Sequence, residues 1–166
     1  AADNERIARF ILAHAVLLSF PGVPAIYIQS VLGSRNDYEG VERLGYNRAI
    51  NRRKFQAGEI DIELEDATQL RHKIYNVLTR MIAVRRQQCV FHPDSKANFS
   101  MPNERVLKIT RTSAGGEQLT AFFNFQSKVQ TLSDNIPFGV ELLTRSNITN
   151  SSLTLDPWQV MWIKHR

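Results

Sequence analysis

Apolar residues recur at helical spacing from the start of the chain, with Ile7, Ile11, Ala15 and Leu18 on one face and Phe10, Leu12, Val16 and Leu17 filling the others. This pattern predicts a helix buried nearly all round, N-capped at Asp3 and ended by Pro21-Gly22. Val23-Pro24-Ala25-Ile26-Tyr27-Ile28 follows as a short apolar run bounded by turn residues, the pattern of a strand covered on both faces of a parallel sheet. From Gln29 to about Asp61 the periodicity disappears, and Gly33, Gly40, Gly45 and Gly58 punctuate a polar stretch. That predicts a loop of about 30 residues, a length that in compact domains is usually functional. A second helix opens at Glu65 and Asp66, carries Leu70, Ile74, Val77, Leu78, Met81 and Ile82 on one face, and ends on Arg85 and Arg86. Acids first and bases last suit the helix dipole.

After His92-Pro93-Asp94 the period becomes two, and residues 105–111, 118–125, 128–132, 140–143, 152–155 and 158–164 read as strands. Gly115-Gly116 makes a hairpin between the first two. The fold class is therefore α/β over residues 1–92 followed by all-β over 93–166, the latter a small antiparallel sandwich or barrel. One parallel strand has no partner for its backbone groups, so the first part is incomplete. Either another polypeptide region supplies its neighbours or this part packs irregularly, as in a homodimer, and the chain is expected to start partway through something larger.

The composition is that of a globular protein: 166 residues, 43% hydrophobic and 22% charged, which excludes disorder and collagen. The apolar stretch from Phe10 to Tyr27 is broken by His14, Ser19, Pro21, Gly22 and Pro24, so it reads as no membrane span. A net charge of +5 is spread along the chain rather than gathered in a basic block, which argues for a solvated surface with no nucleic-acid and no membrane partner. Cys89 is the one cysteine and is expected to be a small buried hydrophobe; with no internal disulfide and no charged leader, the expected location is cytoplasmic.

No zinc spacing, phosphate-cradling glycine run or nucleophile elbow is present, and the pattern asks for no cofactor and no metal. His14, His72, His92 and His165 are scattered, and Glu59, Asp61, Glu63 and Glu65 read as surface acids ahead of a helix rather than a glycosidase pair. The long loop is the richer region, because a loop after a parallel strand lies where α/β folds bind ligands. Arg35-Asn36-Asp37 and residues 47–53 are dense in amide, carboxylate and guanidinium groups that bind sugar hydroxyls or phosphate, or else tie the loop to itself. Phe122, Phe123, Phe125, Trp158 and Trp162 alternate with aliphatics and are expected in the β core rather than on a sugar-stacking platform.

Phe20-Pro21-Gly22-Val23-Pro24-Ala25-Ile26-Tyr27 resembles the eighth barrel strand of the α-amylase superfamily, preceded by its seventh helix. Residues 30–37, Ala49-Ile50-Asn51-Arg52 and Gly58-Glu59-Ile60-Asp61 are similar to the sucrose phosphorylase branch, including its glucosylglycerate phosphorylase type. Amylases tend to carry Tyr-Gly-Asp-Glu or Tyr-Gly-Gln-Glu after the strand, where this chain has Ile28-Gln29-Ser30-Val31. Met81-Ile82-Ala83-Val84-Arg85-Arg86 resembles the eighth barrel helix, and residues 155–163 resemble the last strand of the family's C-terminal β domain.

The resemblance implies the end of a (β/α)8 barrel plus a β domain, belonging to a retaining enzyme that moves a glucosyl unit from sucrose or a related glucoside to inorganic phosphate. It implies an Asp nucleophile, a Glu acid/base and a transition-state Asp on earlier strands, so no catalytic residue lies here and the isolated chain is inactive. Arg52 is implied as the arginine on the donor glucosyl unit, supported by Asn51. Many sucrose phosphorylases have Gly-Arg-Asp where this chain has Asn47-Arg48-Ala49; Arg48 and Arg53 become candidates for phosphate or an acidic acceptor such as glycerate. The alternatives are an α-amylase-type hydrolase and a stand-alone carbohydrate-binding module with an exposed aromatic strip.

Overall fold

A computed structural model describes residues 2–166. Five α-helices are formed: α1 Ala2–Ser19, α2 Ile28–Val31, α3 Tyr38–Leu44, α4 Ala57–Glu65 and α5 Leu70–Arg86. Eight strands follow: β1 Lys96–Asn103, β2 Val106–Thr112, β3 Gln118–Asn124, β4 Gln130–Leu132, β5 Gly139–Glu141, β6 Asn147–Ile148, β7 Leu153–Leu155 and β8 Val160–His165. The chain forms two compact units, one joining α1 through Pro24 to Arg80–Arg166, the other made of Ala25–Thr79. No described helix is long and apolar enough to cross a membrane.

In the first unit the strands pair antiparallel in the order β1-β2-β3-β8-β5-β6, and β4 pairs with β7 in a second small sheet. Leu132, Leu153 and Leu155 of the small sheet pack on Val106, Phe122, Met161 and Ile163 of the large one, so the β part is a sandwich. The opposite face of the large sheet receives α1: Trp162 Nε1 donates to Ser19 Oγ at 2.9 Å, and Ser19 Oγ donates to the Ala15 carbonyl at 2.8 Å. With cover on both faces, β3 is buried from Leu119 to Asn124. Phe122, Phe123 and Trp162 lie in the core as expected, whereas Phe125 is exposed and Trp158 is half-buried beneath the Arg9 guanidinium.

Two arginines close the end of α1. The last carbonyls of a helix have no intrahelical donor. Arg85 donates through Nε to the Leu18 carbonyl at 2.8 Å and through Nη2 to those of Gly22 at 3.2 Å and Phe91 at 3.1 Å. Arg111, fully buried in β2, donates to the carbonyls of Ser19 at 3.4 Å, His92 at 3.0 Å and Ser95 at 3.3 Å. Burial holds the guanidinium of Arg85 below its ordinary pKa, and burial together with Arg85 does the same to Arg111. Both stay cationic at neutral pH and face the negative end of the helix dipole.

The second unit replaces the expected 29–61 loop with α2, α3, a 3₁₀ turn at Asn47–Asn51 and α4. Their shortness explains the missing periodicity, since one or two turns cannot display a stripe. Glu59, Asp61, Glu63 and Glu65 lie within α4, not ahead of a helix. Asp66 follows α4, and α5 begins at Leu70 rather than at Glu65. Gly33 has φ +60°, and a Cβ there would lie 2.8 Å from Ile74 Cδ1 and 3.2 Å from Ile74 Cβ, so this turn admits only glycine against α5.

Other expectations change as well. α1 is buried along Leu12, Ala15 and Leu18, while Leu17 is exposed, because the described residues cover one side of it. Asp3 sits inside its first turn, not at the cap. Cys89 is exposed, and its thiol donates to Glu117; with Lys164 this holds the Glu117 carboxyl below the usual range. Residues 23–27 form no helix and pair with no described strand; Tyr27 is extended, with φ −68° and ψ 136°, and Val23 is 85% exposed.

Replacing Arg111 with Met removes the guanidinium donor from the Ser19 and Ser95 carbonyls, while the His92 carbonyl keeps the Ser95 amide, and is expected to cost about 3 kcal/mol, read as faster native-state hydrogen exchange in β2 and β3. His165 stands 2.8 Å from the Thr120 hydroxyl, and burial followed by Lys108 lowers its pKa. The unfolded chain then binds a proton that the fold refuses, so stability falls as pH drops below about 6.5. A His165→Gln variant should show a shallower decline of the unfolding midpoint between pH 7.5 and 5.5. Gly33→Ala is expected to destabilise the second unit by about 1–2 kcal/mol, seen as increased exchange of the amides flanking residue 33.

Candidate functional site

In the second unit, the residues singled out by sequence lie on the 3₁₀ turn. Ala49 is its buried anchor, and the turn closes through the Arg52 amide donating to the Ala49 carbonyl at 3.0 Å. From outside, Tyr27 Oη donates to the Asn51 carbonyl at 3.1 Å, Gln29 Nε2 to the Arg53 carbonyl at 2.8 Å, and the Asp37 amide to the Ile50 carbonyl at 2.7 Å. The carbonyls of Ile50, Asn51 and Arg53 are thus fixed by three different parts of the unit.

The side chains of Arg48, Asn51 and Arg52 point to solvent, and among the described residues none makes a hydrogen bond or ion pair. Together with Tyr27, Asn47 and Ile50 they line an open cleft of about 430 Å³. The loop is tied to itself, but by main-chain carbonyls, leaving these side chains free. Guanidinium, amide and phenol groups in one cleft can donate to hydroxyls or anions. The lining holds no carboxylate, so it can bind and orient but supplies no nucleophile or acid/base.

The structure separates other residues from this cleft. Arg53 lies with its guanidinium 5.2 Å from the Phe55 ring centre and lines different depressions. Asp37 caps α3, its Oδ1 accepting from the Gly40 amide at 2.9 Å, and Asn36 donates to Tyr38 Oη at 3.1 Å. The Arg35-Asn36-Asp37 run is therefore largely structural. Asn51 meets Tyr27 through its main chain, and no side-chain bond carries support to Arg52. Tyr27 and Gln29 were missed as site residues, since an apolar strand pattern gives no sign of what a residue at its end holds. Among the described residues no three His, Cys, Asp or Glu gather as a metal site requires.

No protein-family model matches the chain. Over 164 residues, 99% of its length, it is 53% identical to glucosylglycerate phosphorylase of Escherichia coli, of which it spans 29%. It is 26% identical over 128 residues to sucrose phosphorylase of Streptococcus mutans, covering 76% of this chain and 25% of that protein. In fold it is similar to trehalulose synthase MutB from Pseudomonas mesoacidophila, with a TM-score of 0.69 at 18% identity over 95% of this chain and 38% of that one. The barrel end and β sandwich expected from the sequence match the C-terminal part of such enzymes. The chain is thus a relative of the glucosylglycerate phosphorylases and sucrose phosphorylases, spanning less than a third of the length of either, and it shares its fold with MutB.

Proposed function

We propose that this chain is part of a retaining sugar phosphorylase that transfers a glucosyl unit from glucosylglycerate, with sucrose as the alternative donor, to inorganic phosphate, giving glucose 1-phosphate. The observation that carries this reading is the 53% identity to a glucosylglycerate phosphorylase across 99% of the chain. The free guanidinium of Arg52 would donate to hydroxyls of the bound glucosyl unit and orient its anomeric carbon. Arg48 in the same cleft would face the acidic acceptor side, glycerate or phosphate, while Asn51 holds the turn on which both are carried. The carboxylates that form and break the covalent glucosyl intermediate would come from elsewhere in the enzyme, leaving the isolated chain inactive.

In this reading residues 1–92 complete a barrel and 93–166 form its β domain. The Val23–Tyr27 stretch supports it: it pairs with no described strand, Val23, Ala25 and Tyr27 are exposed, and backbone of this kind finds its ladder partners in the other strands of a barrel. A second copy of the chain would then be an added partner in a homodimer, not the source of those strands. The lone exposed thiol of Cys89 is in keeping with a cytoplasmic setting.

The intact protein given glucosylglycerate and phosphate is expected to release glucose 1-phosphate and glycerate. Free glucose formed at the same rate without phosphate would make it a hydrolase instead. Arg52→Ala should lower kcat/KM for the glucoside about a hundredfold, and Arg48→Ala should act mainly on the acidic substrate.

A further inference from the structure

Arg71 has no part in the reading above, yet it is only 7% exposed. It lies in the first turn of α5 and reaches back into the segment before it. Nε donates to Glu63 Oε2 of α4 at 2.7 Å, and Nη1 donates to the Leu32 carbonyl at 2.7 Å and to Ser34 Oγ at 3.4 Å. Its guanidinium also sits 4.6 Å from the centre of the Phe55 ring, which carries Arg53 at 5.2 Å. The turn after α2, the 52–56 stretch and α4 thus converge on one side chain.

Burying a cation is a poor way to gain stability, since apolar residues of similar volume often do as well or better. A planar fork that satisfies a carboxylate and a carbonyl while stacking on a ring gains defined geometry instead, and Lys cannot reproduce it. The geometry bears on the cleft through two short links. Leu32 caps α2, whose Gln29 fixes the Arg53 carbonyl, and Phe55 lies three residues from Arg52.

We propose that Arg71 is a positioning residue for Arg52: through Leu32, Phe55 and Glu63 it sets the path of the 52–56 stretch, so that the Arg52 guanidinium meets the donor sugar. This rests on the reading of Arg52 as the sugar contact.

The test uses the intact protein, wild type and Arg71→Lys, with Phe55→Leu as a milder second variant that carries both measurements if the first does not fold. Trypsin cleavage within Arg52-Arg53-Lys54 reports the order of this stretch without reference to activity. It is expected to quicken about tenfold in Arg71→Lys and about threefold in Phe55→Leu. In parallel, KM for the glucoside should rise about tenfold while KM for phosphate is unchanged. A role limited to stability would lower the amount of active enzyme and leave both KM values alone. An unchanged cleavage rate overturns the proposal whatever the kinetics, and faster cleavage with an unchanged glucoside KM overturns the link to Arg52. If the wild-type protein does not phosphorolyse the glucoside, the functional reading fails, and the cleavage arm alone decides whether Arg71 sets the 52–56 path.

Discussion

A helix that ends inside a protein must find donors for its last carbonyls, and α1 finds them in two guanidinium groups. Arg85 comes from the last turn of α5 and Arg111 from β2. Between them they hold the carbonyls of Leu18, Ser19 and Gly22 together with those of Phe91, His92 and Ser95. Two like charges tolerate this closeness because each carbonyl supplies negative potential and the helix end adds more. This joint makes α1 and the β sandwich one compact unit although about 75 residues separate them in sequence, and it fixes where the chain leaves the helix.

The second unit follows the same logic on a smaller scale. Its elements are too short to gain much from helix propagation, so bonds between segments hold them: Tyr27 to Asn51, Gln29 to Arg53, Asp37 to Ile50 and Arg71 to Glu63, Leu32 and Ser34. Four of these six end on main-chain carbonyls. Spending carbonyls on architecture leaves Arg48, Asn51 and Arg52 with free side chains in one cleft. That division between fixed backbone and free donors is what a ligand-orienting loop needs.

What could be read from the sequence depended on the range of the interaction involved. The β2–β3 hairpin and the stripe of α5 were legible because period and turn chemistry are local. β1 was not, since Lys96–Asn103 is almost wholly exposed and an edge strand of this kind shows no alternation. The apolar neighbours of Cys89 predict a core position for it, whereas Val90 and Phe91 take the buried positions and the thiol is exposed. Arg111 is only the last residue of the 105–111 strand pattern, and nothing in its neighbours marks it as the donor for carbonyls up to 92 residues away. In the site, Arg48, Asn51 and Arg52 were named from a family resemblance. The residues that hold them in place were invisible, because support from Tyr27, Gln29 and Arg71 exists only once the segment is folded.

On the function proposed above, Val23–Tyr27 is backbone that finds its ladder partners in the rest of an enzyme. Hydrogen exchange at the amides of Ala25, Ile26 and Tyr27 measures this directly in the intact protein and in residues 1–166 alone. Slow exchange in the intact protein and rapid exchange in the shorter chain is the expected result. Rapid exchange in the intact protein, or equal protection in the 166 residues by themselves, would contradict it.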